Sequence, residues 1–215
     1  MQELEVINKF LGGHNSTIKG VSILLGLHEK KKPRTDSLNI CEIGCGGGDN
    51  LKAIAYWCSS NNIPVKFTGI DINRECITYA IENCKKIQVE WITSDYRHVN
   101  FKQTPDIIFS SLFCHHFTEK ELAEQFAWMK KNSRLGFFIN DLHRHPLAYY
   151  SISILTKIFS KSRLVKNDAP LSVLRGFKKK ELRNINLQCS LTQARLHWHW
   201  AFRWLMVVKN ESIVD

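Results

Sequence analysis

The sequence lacks the two most familiar nucleotide-binding patterns. A dinucleotide fingerprint G-x-G-x-x-G beginning at Gly44 would need glycine at position 49, which is Asp49, and one beginning at Gly46 would need glycine in place of Leu51. A phosphate-binding loop would close with Gly-Lys-Ser or Gly-Lys-Thr, and no such triplet follows the glycines. The glycine cluster of this chain is therefore not shaped for a pyrophosphate.

The chain also has little that indicates secretion, a membrane span or a structural metal. Residues 1–6 show no basic region followed by an apolar core, so we expect no secretory signal. The most apolar stretch, residues 146–160, is shorter and more polar than the about 20 apolar residues of a bilayer span. Seven cysteines, an odd number, predict reduced thiols in a cytoplasmic protein. Cys41 and Cys45 lack the second pair of a zinc site, so no metal is expected.

Composition and charge indicate a globular chain with one ambiguous feature. At 215 residues, with 44% hydrophobic and 23% charged residues, the chain suits a single domain with a substantial core. The net charge of +10 is compatible with nucleic acid, but the basic runs at residues 30–34, 130–131 and 178–180 are short and scattered. We therefore keep RNA as an alternative partner and favour a small molecule.

One stretch, residues 38–49, organises the chain. An apolar run ends at Ile43, and a glycine cluster from Gly44 to Gly48 follows, which predicts a strand, a tight turn and a helix. Glycine reaches positive φ without strain and, having no Cβ, lets a ligand approach the backbone closely. The turn is thus a candidate binding loop.

Two further predicted strands end in an acidic residue. Residues 65–71 end at Asp71, about 20 residues after the glycines, where a carboxylate of a Rossmann-type sheet accepts both ribose hydroxyls. Residues 89–95 end at Asp95 in the same way. Three predicted strands thus end in residues that can bind a nucleoside-like ligand, namely the glycine cluster, Asp71 and Asp95, and this argues against a chance pattern.

The loop Glu42-Ile43-Gly44-Cys45-Gly46-Gly47-Gly48 follows E-x-G-x-G-x-G and resembles the first motif of class I S-adenosylmethionine (SAM) dependent methyltransferases. The resemblance covers residues 38–208. Within it, the fourth-strand segment is similar to that of the ubiquinone/menaquinone-type enzymes. The resemblance implies SAM as the cofactor, with Asp95 facing the adenine amino group. The implied cofactor-binding residues are Glu42, Gly44, Cys45, Gly46, Asp71, Ile72, Asp95, Tyr96 and Ser111.

The order of predicted elements defines the expected fold. Strand and helix alternate after residue 38, which predicts parallel pairing with right-handed crossovers. We expect an α/β fold with a Rossmann-like seven-stranded sheet, mostly parallel with one antiparallel strand, helices on both faces and an N-terminal helical cap. We expect a single methyltransferase domain over residues 1–215, with cap and linker at residues 1–34 and a lid insertion at residues 146–175.

Histidines follow the fourth and fifth predicted strands, where ligands of an open α/β sheet bind. Asp141 and His143 come just past the fifth strand, and we expect His143, assisted by Asp141, to be the general base. His115, just past the fourth strand, is the alternative base. Histidine suits the task because its unperturbed pKa of about 6.5 leaves much of it neutral near pH 7.

Other polar and aromatic residues near these strand ends are candidates for binding the acceptor. They are His14, His116, Arg144, Tyr149, Tyr150 and Arg175. For His14, Arg144 and Arg175 a solvated side chain or a hydrogen-bonded turn is an equally simple interpretation. The apolar, tyrosine-bearing lid favours methyl transfer to an oxygen or carbon of a small aromatic or quinone-like metabolite. An RNA methyltransferase and a non-catalytic SAM-binding protein remain the alternatives.

Overall fold

The structure is a computed structural model that describes residues 7, 8, 10–27, 36–191 and 193–210. The basic run at residues 30–34 and the first residues of the expected N-terminal cap lie outside the described residues.

A twisted sheet forms the centre of the described part of the chain. Its seven strands lie in the order β3-β2-β1-β4-β5-β7-β6. All neighbouring pairs are parallel except β5 with β7 and β7 with β6, so β7 is the one antiparallel strand. The strands are β1 Leu38–Ile43, β2 Val65–Asp71, β3 Val89–Thr93, β4 Ile107–Ser111, β5 Gly136–Leu142, β6 Arg195–His199 and β7 Arg203–Lys209. This confirms the fold expected from the sequence.

Seven α-helices connect or cover these strands within the described residues. They are α1 Gly13–Leu25, α2 Asp49–Ser60, α3 Arg74–Asn83, α4 Glu119–Asn132, α5 Pro146–Phe159, α6 Arg163–Arg175 and α7 Lys179–Gln188. Short 3-10 turns follow β3 at Tyr96–His98 and β4 at Cys114–His116. Among the residues that the structure describes, no helix has both the length and the apolar character needed to cross a bilayer.

The helix starts agree with sequence rules only in part. Asn73 caps α3 by accepting from the Glu75 backbone N–H, and Thr118 begins α4 with a complete capping box. Local sequence preferences favour Asn15 or Ser16 as the cap of α1 and Asp49 or Asn50 as the cap of α2, but neither helix begins there. Gly12 and Gly48 occupy the two cap positions with φ of 71° and 74°, which costs glycine no strain.

Two apolar clusters hold helices against opposite faces of the sheet. On one face, α4 and α7 bury side chains such as Phe126 and Leu182 against β4 and β5. On the other face, α1 and α2 bury Val21 and Leu51 against the same sheet. Because the two clusters differ, helices cover both faces, and the carboxyl ends of the parallel strands are left as the edge where a ligand can bind.

The helices α5 and α6 form a pair inserted between β5 and α7. They share a third, smaller cluster that contains Ala148, Ile152 and Val173. Ile7 and Leu11 pack against this cluster, so the N-terminal segment reaches the inserted pair. The pair occupies the residues expected for a lid.

Candidate active site

The glycine loop joins β1 to α2 at the carboxyl edge of the sheet. Gly44, Gly46 and Gly48 have φ of 64°, 51° and 74°, in the region that favours glycine. Neighbouring side chains also require two of these glycines. A Cβ at Gly44 would lie 2.3 Å from the Phe113 ring, and one at Gly48 would lie 2.6 Å from the Trp91 ring. The loop is therefore fixed by packing before any ligand binds.

Asp71 at the end of β2 holds the same loop. Its Oδ2 accepts a hydrogen bond of 2.9 Å from the Gly46 backbone N–H, and its Oδ1 accepts one of 2.8 Å from the Asn73 N–H. Ile72, the next residue, is 74% exposed although it is a large apolar side chain. A carboxylate and an exposed apolar side chain thus stand side by side next to the loop, as a ribose and an adenine ring would require.

The next strand end carries Asp95, whose carboxylate already has protein partners. Asp95 accepts from the Arg97 backbone N–H at 2.9 Å and also pairs with the Arg97 side chain. These hydrogen bonds lower the pKa of Asp95 although partial burial opposes the shift. Tyr96 is half-buried against Trp128, with the ring centroids 4.9 Å apart. The adenine contact inferred for Asp95 stays a prediction.

Glu42 is a fully buried acid beneath the loop. Its Oε1 accepts from Asn50 Nδ2 at 3.0 Å, whereas its Oε2 has no partner among the described residues. Burial first, and then the negative charge of Asp49, raise its pKa well above the usual value. Cys45, also buried, has a raised pKa for the same main reason and is an inert thiol. A buried carboxylate oxygen without a partner is a natural acceptor for a cationic ligand group.

A buried histidine and aspartate meet where β4 and β5 end. His115 Nδ1 lies 2.7 Å from Asp141 Oδ1, and both side chains are at most 2% exposed. Asp141 also accepts from the backbone N–H groups of His115 at 3.3 Å and Leu142 at 2.7 Å. Burial alone would raise the pKa of Asp141, but the His115 ring and these hydrogen bonds lower it. His115 Nε2 is buried and has no partner among the described residues.

This geometry corrects one expectation from the sequence. Asp141 was expected to orient His143, but it pairs with His115. His143 Nδ1 instead lies 3.2 Å from Trp198 Nε1, from which it accepts a hydrogen bond. Burial, and secondarily the nearby His145, lower the pKa of His143. The His143 N–H donates to the Phe202 carbonyl at 2.8 Å, which extends the pairing of β5 with β7 by one residue, and the His143 ring lies against Trp198 of β6.

The acceptor candidates are divided among several places. His14 Nε2 lies 2.8 Å from Asp49 Oδ2, directly after the glycine loop. Arg144 pairs with Glu181, as expected for a hydrogen-bonded turn. His116 is exposed beside His115, with the ring centroids 4.2 Å apart, and partial desolvation followed by the His115 charge lowers its pKa.

The remaining candidates lie on the inserted helices. Arg175 is exposed at the end of α6, close enough for its charge to act on His116. Tyr149 is half-buried in the third cluster, and Tyr150 beside it is 63% exposed. The structure therefore groups Arg175 and His116 with the buried pair, and it places His14 and Arg144 elsewhere.

Two buried polar residues were missed by sequence reasoning. The Asn140 amide lies 3.2 Å from Ser111 Oγ and 3.0 Å from Thr17 Oγ1, and so ties β4 and β5 to α1. Arg203, at the start of β7, is buried, and burial lowers its pKa to about 10. It donates to the Leu11 carbonyl at 3.1 Å and to Asn8 Oδ1 at 3.0 Å. A polar residue within an apolar strand was the available signal in both cases.

Asn8 extends this contact to the loop. Its Nδ2 donates to Asp49 Oδ2 at 2.8 Å. Burial alone would raise the pKa of Asp49, but hydrogen bonds from His14 and Asn8 lower it. The Asp49 carboxylate thus fixes the N-terminal segment to the start of α2, and the Arg203 guanidinium fixes it to β7. Among the described residues, no group of His, Cys, Asp or Glu could hold a metal ion.

Comparison with known proteins gives a family match for part of the chain. Residues 40–136 match a family model described as a methyltransferase domain. A search of curated proteins found no match for the chain.

Solved structures share the fold over most of the chain. The plantazolicin methyltransferase BpumL with SAH has a TM-score of 0.70 at 15% identity, covering 98% of this chain and 89% of its own. Magnesium protoporphyrin IX methyltransferase (ChlM) from Synechocystis PCC 6803 with bound SAM has a TM-score of 0.59 at 12% identity, covering 94% and 81%. The CMeT domain of the citrinin polyketide synthase has a TM-score of 0.61 at 13% identity, covering 86% and 49%.

The fold, the glycine loop and the methyltransferase-domain match over residues 40–136 are those that a class I SAM-dependent methyltransferase would have. The residues present fit its cofactor: the loop offers backbone at Gly46, Asp71 offers a carboxylate, and Glu42 offers a buried oxygen without a partner. The residues present are therefore suited to hold SAM at this edge of the sheet.

Proposed function

We propose that this chain is a SAM-dependent methyltransferase that transfers a methyl group from SAM to an oxygen or carbon of a small aromatic or quinone-like metabolite. SAM supplies an electrophilic methyl group, so the protein must align an in-line displacement and remove a proton from the acceptor. The observation that carries the proposal is the buried pair of His115 and Asp141 at the ends of β4 and β5.

His115 replaces His143 in this proposal as the general base. The Asp141 carboxylate fixes one ring nitrogen, which leaves Nε2 as the nitrogen that can accept a proton from the acceptor. The partnerless Nε2 supports this role, because a buried polar atom without a hydrogen bond is costly unless a ligand satisfies it. His143, whose Nδ1 accepts from Trp198, becomes a residue of the surrounding surface.

The pair of His115 and Asp141 would carry one negative charge while the His115 ring is neutral. It would become neutral overall when the ring takes the proton of the acceptor. Asp141 therefore stabilises the protonated ring that general-base catalysis forms. Its own lowered pKa supports the ionised state near neutral pH. No metal is needed for this step.

The acceptor would enter between the inserted helices and the edge of the sheet. We propose residues 146–175 as the lid and residues 1–34 as the cap of a single domain. Helix α6 contacts the turn at Cys114–His116, and Tyr149 lies among apolar side chains on α5 and α6. Such a wall favours a flat apolar acceptor. Some structural relatives are named for plantazolicin and magnesium protoporphyrin IX, which are also not polymers of nucleotides.

The test is to incubate the protein with methyl-labelled SAM and a fractionated cell extract. The proposal predicts that label enters the small-molecule fraction and that Gly46→Val, a variant designed to block the loop, transfers none. Label in the RNA fraction alone would favour an RNA methyltransferase, and transfer to neither fraction would contradict the proposal.

A further inference from the structure

Helix α5 has apolar side chains on two opposite sides. Ala148, Ile152 and Thr156 are buried and face the fold. On the other side runs a row of side chains spaced three or four residues apart, which places them on one face of a helix. This row, the α5 stripe, consists of Leu147, Tyr150, Ile154 and Ile158, which are 61%, 63%, 58% and 67% exposed.

The stripe continues past the end of the helix. Phe159 is 77% exposed and Leu164, at the start of α6, is 73% exposed. The water-facing side of a helix on a globular domain is normally polar, and a contiguous exposed apolar row marks a contact surface. Since the opposite side of α5 already packs on the fold, the stripe is not needed for the core.

Basic residues surround this apolar row, and acidic residues are missing from it. No aspartate or glutamate occurs between Asp141 and Asp168 in the sequence. Four basic residues lie at or beside the turn between α5 and α6, namely Lys157, Lys161, Arg163 and Lys166. Lys157, Lys161 and Arg163 are exposed. The whole chain also carries a net charge of +10.

We propose that the α5 stripe and its basic border bind in the plane of an anionic lipid bilayer. An apolar helix face enters the boundary between headgroups and acyl chains, while flanking Lys and Arg contact anionic headgroups. A 14-residue helix is about 21 Å long, so α5 lies on the bilayer and does not cross it. The binding does not depend on which acceptor the enzyme methylates.

The charge distribution favours a bilayer over a second copy of the chain. Two copies that met through the stripe would bring their basic borders close together, and like charges across an interface oppose association. An anionic surface removes this repulsion and adds attraction. Dimerisation is therefore the rival outcome that the experiment must detect.

The experiment measures flotation of the full chain with vesicles of phosphatidylcholine mixed with phosphatidylglycerol, and with vesicles of phosphatidylcholine alone. We expect binding to the anionic vesicles that weakens in high salt, and weaker binding to the neutral ones. Ile158→Glu should lower the partition coefficient at least about tenfold. The change removes an apolar side chain that the bilayer would bury and adds a negative charge that the anionic headgroups repel. Leu187→Glu, which changes a 77% exposed residue on α7, is the matched control and should bind as the unaltered protein does.

Circular dichroism and SAH calorimetry check that each variant is folded. Tyr150→Glu replaces Ile158→Glu if Ile158→Glu does not fold. Loss of flotation in the stripe variants alone supports the proposal. The proposal is overturned if the unaltered protein does not float with anionic vesicles, or if Leu187→Glu loses as much binding as Ile158→Glu. It is also overturned if light scattering shows a dimer that the Ile158→Glu change dissociates while vesicle binding is absent.

Discussion

Individual carboxylates at the carboxyl edge of the sheet differ because their partners differ. Asp141 is buried beside His115, and that ring and three hydrogen bonds lower its pKa despite burial. Glu42 is equally buried but has one hydrogen bond and negative neighbours, so its pKa is raised. Asp71, half-buried, binds two backbone N–H groups. Carboxyl groups thus provide a partner for a histidine at Asp141, a buried acid with a raised pKa at Glu42 and an anchor for the loop at Asp71.

The residue-scale prediction concerns the base. His115→Gln should lower turnover by about 10² or more with SAH affinity nearly intact, the range expected for lost general-base assistance. The unaltered enzyme should show a rate that rises with pH through one ionisation, which the variant lacks. The measurement is kcat against pH with the acceptor found by labelling.

His143→Gln is the matched control, since it changes a histidine two residues from Asp141 that Asp141 does not contact. It should alter the acceptor KM more than kcat. Equal kcat and pH profiles for His115→Gln and the unaltered enzyme would remove His115 from the reaction.

Sequence reasoning located the residues at the strand ends more readily than it located their hydrogen-bond partners. The glycine loop and Asp71 follow directly from strand ends, so their proximity could be predicted. The pairing of His115 with Asp141 depends on a turn at Leu112, whose φ of 54° is uncommon for a residue with a side chain. Nothing in the sequence indicates that turn.

Helix starts illustrate the same limit at the scale of elements. Side-chain caps at Asn73 and Thr118 could be predicted because a local hydrogen bond decides them. Gly12 and Gly48 became caps because tertiary neighbours fill the space that a side chain would need. A Cβ at Gly12 would lie 3.1 Å from the Trp200 carbonyl oxygen, a contact across the whole chain. Local patterns contain no record of such distant neighbours.

The element-scale prediction tests the capping box of α4. Thr118→Ala should lower the free energy of unfolding by about 1 kcal/mol, because it leaves a helix N–H without its acceptor. Urea unfolding measures the change, and SAH affinity should stay the same. Lys120→Ala, which replaces an exposed side chain in the first turn of α4, is the control and should change stability little. Equal stability of the two variants would show that the box does not stabilise α4.

At the scale of the whole molecule, acid stability depends on carboxylates with lowered pKa values. Asp141, Asp49 and Asp95 all have pKa values below the usual 3.8 in the folded protein. Their stabilising contribution is therefore complete above about pH 4 and is lost as the pH falls through the lower folded values. Glu42 has the opposite sign, since its raised pKa favours the folded state at low pH and costs stability as the pH rises.

The whole-molecule prediction uses Asp141→Asn. At neutral pH the variant should lose about 1.5 to 3 kcal/mol of unfolding free energy, because the His115 ring and two backbone N–H groups lose their charged hydrogen-bond acceptor. As the pH falls from about 4 through the lower folded pKa of Asp141 the difference should shrink, because the native carboxyl becomes protonated over that range. Denaturant unfolding across pH measures both effects. Asp168→Asn, an exposed change on α6, should leave the pH profile unchanged, and a constant difference at every pH would contradict the assigned role of Asp141.

The global architecture was the most predictable level. Alternation of strand and helix determines parallel pairing, and the antiparallel β7 follows from two consecutive strands joined without a helix. The buried Arg203 was not predictable, because its partners Asn8 and Leu11 lie at the other end of the chain. The exposed α5 stripe was also missed, since its apolar residues seemed sufficient to explain a lid.

The cofactor site is the central claim, and calorimetric titration with SAH tests it most directly. The unaltered protein should bind SAH, and Gly46→Val should not, because a side chain there occupies the loop where backbone meets ligand. Asp71→Ala should bind at least about tenfold more weakly, since hydrogen bonds to a charged group are worth about 1.5 to 3 kcal/mol. Glu75→Ala, which removes an exposed carboxylate from the first turn of α3, should bind normally. No binding by the unaltered protein, or equal binding by Asp71→Ala and Glu75→Ala, would contradict the site described.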